Sequence, residues 1–82
     1  MKETVLIDGE YITLGQLLKS VNIISSGGMA KHFLAENTVF LDNELENRRG
    51  KKLYPGAVIE IPGEGTYFIQ HESSEDISEE SR

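Results

Sequence analysis

One stretch narrows what this chain can fold into more than any other: Ser25-Ser26-Gly27-Gly28-Met29-Ala30-Lys31-His32-Phe33-Leu34, where two hydroxyl residues and two glycines run into an amphipathic helical pattern. Serine is favoured at a helix N-cap, the first turn leaves backbone N–H groups without intrahelical partners, and the helix dipole adds partial positive charge there. Glycines at such a point let a phosphate approach the backbone. The junction reads either as a helix start suited to an anion or as a plain loop-to-helix boundary with serine as its cap. Met29, Ala30, Phe33 and Leu34 share one arc of the helix, expected to face the core, while Gly28, Lys31, His32 and Ala35 share the other. Asn37 is expected to close the helix in the left-handed conformation that asparagine tolerates.

A first helix is expected just upstream. Thr13-Leu14-Gly15-Gln16 has the form of a capping box, and Leu14, Leu17, Leu18 and Val21 follow at helical spacing, so the helix should run to about Val21. Asn22-Ile23-Ile24-Ser25 then connects the two helices. Before them, Thr4-Val5-Leu6-Ile7 is β-prone, and Asp8-Gly9 is a turn signal that would fold it into a hairpin with Glu10-Tyr11-Ile12.

After the helices, Thr38-Val39-Phe40-Leu41 reads as a strand and Asp42-Asn43 as a turn, and Leu45 between Glu44 and Glu46 suits a half-exposed strand. Tyr54-Pro55-Gly56 carries proline and glycine where a type II turn prefers them. Ala57-Val58-Ile59-Glu60-Ile61 and Thr66-Tyr67-Phe68-Ile69 are the last strands, joined by the turn Pro62-Gly63-Glu64-Gly65. Serine and acidic residues dominate positions 71–82, so this tail is expected to be disordered and residues 1–70 to form a single domain.

At 82 residues the chain is too short to bury a large enclosed active site. It has no cysteine, hence no disulfide, thiolate metal site or cysteine nucleophile. No apolar run approaches the roughly 20 residues that span a bilayer, and Met1-Lys2-Glu3-Thr4 lacks the character of a signal peptide, so a soluble cytoplasmic protein is expected. Ser25 and Ser26 have no second histidine in the ordered region to complete a base and orienter, and His32 on the polar face reads as a surface residue. No enzymatic activity, cofactor, metal or small-molecule substrate is expected.

The net charge of −6 argues at first against a polyanionic partner, but its distribution reverses the argument. Between positions 11 and 62 six basic residues stand against five acidic ones, whereas positions 71–82 hold five acidic residues and one basic. Arg48, Arg49, Lys51 and Lys52 fall within five positions of one another. Taken alone they could be a solvated loop. Beside Lys31 and a glycine-led helix start they make a candidate phosphate surface, and arginine suits bidentate phosphate contacts. The tyrosines and phenylalanines are mostly strand residues by spacing, so no base-stacking platform is indicated and Tyr54, next to the run, is the one candidate.

The order of these features, over residues 12–61, resembles the ribosomal protein S-four type of RNA-binding domain. Ser26, Ala30, Lys31, Phe33, Leu34, Val39, Leu41, Pro55 and Gly56 stand where that family's signature has its serine, alanine, basic residue, apolar pair, strand and Pro-Gly turn. Ser-Gly-Gly-Met-Ala-Lys and Asn-Arg-Arg-Gly-Lys-Lys-Leu-Tyr are closer still to the small stand-alone bacterial members of YaaA type. Gly27 stands where many relatives carry arginine, Asn37 replaces a glycine, Asp42-Asn43 replaces Asn-Gly, and Ala57 replaces the aspartate after Pro-Gly.

The resemblance implies an α+β fold, two helices arranged like a helix-turn-helix against a small antiparallel sheet. It also implies RNA bound across the second helix and the basic loop, through Ser25, Ser26, Gly27, Gly28, Lys31, Arg48, Arg49, Lys51 and Lys52. The expected partner is structured RNA, above all ribosomal RNA in assembly or maintenance of the large subunit, met by a monomer. A competing reading is a protein-interaction adaptor whose basic loop meets an acidic partner.

Overall fold

The computed structural model describes residues 2–72. In chain order the elements are β1 (Lys2–Ile7), β2 (Ile12–Thr13), α1 (Leu14–Ser20), α2 (Met29–Glu36), β3 (Phe40–Leu41), β4 (Glu44–Leu45), β5 (Lys52–Leu53), β6 (Val58–Ile61) and β7 (Gly65–His71). A five-stranded sheet has the order β1-β7-β6-β3-β4, and β2 and β5 form a separate two-stranded ladder. The fold is α+β. Its core is one cluster in which Leu14, Leu17, Leu18, Ile24, Ala30 and Leu34 from the helical segment meet Val39, Ile59, Ile61, Tyr67 and Ile69 from the sheet.

The first helix forms as its residues dictate. Thr13 Oγ1 accepts the Gln16 N–H at 3.2 Å, Gln16 Oε1 accepts the Thr13 N–H at 2.8 Å, and Leu14, Leu17 and Leu18 are buried. Its exit is a Schellman turn in which Asn22, at φ 64°, donates to the Lys19 carbonyl and Ile23 donates to the Leu18 carbonyl. The left-handed asparagine is therefore Asn22. Asn37 is extended (φ −129°, ψ 149°) and caps α2 with its backbone N–H and Nδ2, both on the Phe33 carbonyl. The physical reason is the path of the chain beyond each helix: it doubles back into the second helix after Asn22 but runs on toward β3 after Asn37.

The turns at Asp42-Asn43 (φ 51° and 72°) and at Pro55-Gly56 (φ 99° at the glycine) match their residues. The Ala57 N–H closes the second on the Tyr54 carbonyl at 3.0 Å. Three strand expectations need correction. The hairpin between β1 and residues 10–12 does not form: β1 runs parallel to β7, from Lys2↔Thr66 to Ile7↔His71, and Ile12 pairs with Leu53. The large sheet is consequently mixed, with one parallel pair at its edge. A parallel pair needs a long connection, and here that connection is the rest of the domain.

The third correction concerns β4. Phe40↔Leu45 and Leu41↔Glu44 pair, and the Glu46 N–H continues the ladder to the Val39 carbonyl at 2.8 Å. Val39 faces the core, so this register turns Glu46 inward (8% exposed) and Leu45 outward (66% exposed). Order also extends slightly past the expected domain end, since His71 closes β7 and the Glu72 N–H donates to the Ile7 carbonyl at 3.0 Å. The expected disorder of the tail otherwise lies outside the described residues. Among the described residues no helix is long and apolar enough to cross a membrane.

Candidate nucleic-acid interface

The basic loop is held by its backbone. The Lys51 carbonyl accepts the Leu14 N–H at 2.9 Å and the Arg49 carbonyl accepts the Gly15 N–H at 2.8 Å. Together with Thr13 Oγ1 on Gln16, these bonds satisfy the first three N–H groups of α1. Gly15 makes this docking possible: a Cβ built there would sit 3.4 Å from the Arg49 carbonyl oxygen and 3.5 Å from the Cβ atoms of Ala30 and Arg49. With the loop backbone committed inward, the Arg48, Arg49 and Lys52 side chains are exposed and Lys51 is half-buried.

Arg49 also reaches α2. Its Nη1 lies 3.5 Å from the Gly27 carbonyl oxygen, a long contact, and Gly15, Gln16, Lys19, Gly27 and Arg49 line one groove of about 380 Å³. Lys19, a cation that the sequence pattern did not place on the surface, thus joins it. Lys31 is exposed one helical turn beyond Gly27 on the same side of α2. Arg48, Lys51, Lys52 and Tyr54 line a neighbouring groove of about 440 Å³ on the other side of Gly50.

Arg48 is tied down. Its Nε donates to Glu46 Oε2 at 2.9 Å, its Nη2 to Oε1 at 3.3 Å, and its backbone N–H to Oε2 at 3.1 Å. The hydrogen bond from Arg48 outweighs burial and holds the Glu46 carboxyl below the ordinary glutamate range, with the charge of Lys51 acting the same way. Glu46 raises Arg48 in return, so both stay ionised at neutral pH. An anion meeting Arg48 must share it with a carboxylate, whereas Arg49 has no acidic partner among the described residues.

The start of α2 differs from its expected form. Gly28 is the N-cap, in right-handed helical conformation (φ −68°, ψ −20°), and no side chain caps the helix. Ser25 Oγ instead donates to Met29 Sδ at 3.1 Å, while the Ser26 and Gly27 carbonyls accept the Met29 and Ala30 N–H groups in a tight turn. Serine is not the cap because that turn winds the chain into the helix two residues past Ser26. Met29, expected in the core, is 45% exposed, since only Ala30, Phe33 and Leu34 of its arc turn inward. Ser25, Ser26, Gly27 and Gly28 are all exposed, and a Cβ at either glycine would meet nothing within 4 Å. The approach to this helix start is open, as an anion would require, but the serine cap is absent.

Tyr11 carries no signal in the sequence that would assign it to this surface. Its ring centroid lies 5.6 Å from that of Tyr54, and Lys52 Nζ stands 4.9 Å from its centre. Nothing local marks Tyr11, because its neighbours come from across the β2–β5 ladder. Among the described residues no cluster of histidine and carboxylates is placed to hold a metal ion.

Two helices with a basic loop folded over the first, backed by a small sheet, define a compact module with one cationic corner. The chain belongs to the S4 domain family, whose model matches residues 5–70. Among its relatives is the probable ribosome maturation protein RlbA of Bacillus subtilis (strain 168), 54% identical over 69 residues, covering 84% of this chain and 97% of the relative.

Proposed function

We propose that this chain is a non-catalytic RNA-binding module of the bacterial cytoplasm, acting as a monomer on structured ribosomal RNA during ribosome maturation. The observation that carries the reading is the docking of the basic loop on α1 through main-chain bonds, which leaves Arg49, Lys19 and Lys31 exposed around one corner. A surface of fixed cations recognises phosphates by position and shape. The ribosome maturation protein to which the chain is similar supports the ribosomal setting, and the YaaA-type resemblance points to the large subunit. Ser25, Ser26, Gly27 and Gly28 form the open approach, Lys19, Lys31 and Arg49 its cations, and Arg48, Lys51 and Lys52 extend it past the loop.

The test is a salt titration of binding to structured ribosomal RNA fragments. Each phosphate contact contributes about 0.7 to 0.9 to the log–log slope, so Lys31→Glu with Arg49→Glu should lower affinity and reduce the slope by roughly 1.4 to 1.8. Both side chains are exposed, so thermal stability should change little. An unchanged slope removes these cations from the interface. Salt-insensitive or absent RNA binding, with acidic proteins retained instead, replaces this reading with the adaptor.

A further inference from the structure

We propose that Tyr11, Tyr54 and Lys52 form a receptor for a single unpaired nucleotide, its base stacked on tyrosine and its phosphate on the adjoining cations. This rests on the RNA-binding reading above and adds to it a preference for RNA with an unstacked base.

The β2–β5 register builds the site. Ile12↔Leu53 and Thr13↔Lys52 are the paired residues, so Tyr11 and Tyr54 stand opposite each other one step beyond the ladder. Side chains alternate along a strand, so Tyr11 and Thr13 share a face with Tyr54 and Lys52, while Ile12 and Leu53 turn to the opposite face. That opposite face is the core: Leu53 is fully buried and Ile12 packs against the cluster. Burial of Ile12 and Leu53 therefore obliges both tyrosines to face outward, and they are 38% and 51% exposed.

The arrangement has more than a packing role. A cross-strand aromatic pair would stabilise the short ladder by itself, but this one stands in a groove with charge. The rings are tilted at 53° rather than stacked flat, Tyr54 stays half exposed, and Lys52 Nζ lies over the Tyr11 ring. Arg48, Lys51, Lys52 and Tyr54 line a groove of about 440 Å³; the same four residues also border a wider one of about 640 Å³, whose far side carries Asp42, Glu44 and Glu46, so the cations lie on the Tyr54 side. A π surface edged by cations suits a nucleotide, which offers a flat base and an anion a few ångströms apart. A fully paired duplex keeps its bases stacked and offers this surface phosphates alone.

The probe is a pair of RNA hairpins identical except for one bulged adenosine, titrated against the full chain. Two of the chain's three tyrosines form the pair, the third, Tyr67, is buried in the core, and there is no tryptophan, so a change in tyrosine emission on binding reports on the pair over a constant Tyr67 background. The bulged hairpin should bind about tenfold tighter and quench that emission, by the usual strength of base–aromatic stacking. Tyr54→Ala should abolish the difference between hairpins, and Tyr54→Phe should keep it because the π face remains. A purely structural pair would instead lower thermal stability in Tyr54→Ala and leave discrimination intact, which overturns the proposal. Equal binding of both hairpins by the parent, without quenching, overturns it too and leaves general RNA binding standing. No salt-dependent binding to either hairpin overturns both.

Discussion

The two helices begin in opposite ways. At α1 the first three N–H groups are taken by Thr13 Oγ1 and by the Arg49 and Lys51 carbonyls, so that helix start is closed and serves as the anchor of the basic loop. At α2 no side chain caps the start, the approach over Gly27 and Gly28 is open, and Arg49 and Lys19 share a groove with Gly27. One start is closed by the loop that it anchors; at the other the Met29 and Ala30 N–H groups close a tight turn on the Ser26 and Gly27 carbonyls, and the backbone around it stays uncrowded. The difference teaches that a helix start can be closed from outside, by a docked loop, or from within, by its own turn, and that only the second leaves its approach uncrowded for a partner.

Gly15 is where the comparison breaks most easily. Gly15→Val adds branches where a Cβ alone already touches the Arg49 carbonyl, so it should destabilise by about 1–3 kcal/mol. It should also free the loop from α1 and weaken RNA binding. Urea unfolding and RNA titration of the same variant check both; unchanged stability would mean that the loop does not depend on that contact.

Capping residues provide the next test. Thr13→Ala removes a bonded cap and should cost about 1 kcal/mol. Ser26→Ala removes a hydroxyl that caps nothing and should leave stability nearly unchanged. Equal losses in thermal denaturation would show that both starts depend on side-chain caps.

Gly28 sharpens the contrast from the other side. Its backbone is right-handed and helical and its surroundings are empty, so Gly28→Ala should stabilise by up to about 1 kcal/mol. Gly28→Glu should fold equally well yet bind RNA more weakly. Parental affinity in Gly28→Glu would remove the α2 start from the docking surface.

The smallest effect concerns pH. Glu46 has a depressed pKa when folded, so its contribution is present above the unfolded value and is lost as pH falls through the folded one. Stability should therefore decline below about pH 4.3, and Glu46→Gln should flatten that part of the profile. An identical acid limb in chemical denaturation would show that the Glu46–Arg48 pair contributes nothing to stability.

What could be read from the chain alone is what depends on neighbours three or four residues apart. Thr13 and Gln16 form their capping box, Leu14, Leu17 and Leu18 are buried together, and Asp42-Asn43 and Pro55-Gly56 make the turns their side chains favour. The ordered motifs from Ser26 to Gly56 also carried the family, and the cluster of Arg48, Arg49, Lys51 and Lys52 marked the basic loop.

Tertiary structure alone decided the rest. The parallel partner of β1 lies at the far end of the domain, and no local signal names it. Glu46 points inward and Leu45 outward because the β3–β4 register sets Glu46 opposite Val39, which overrides the polarity of both side chains. Arg48 thereby gains a carboxylate partner, while Lys19 comes to line a groove with Gly27 and Arg49, and Tyr11 meets Tyr54, from segments remote in sequence. Local propensity selects which helices and turns form, but burial of one shared core selects which strands pair, and strand pairing determines which charges and rings are left facing solvent.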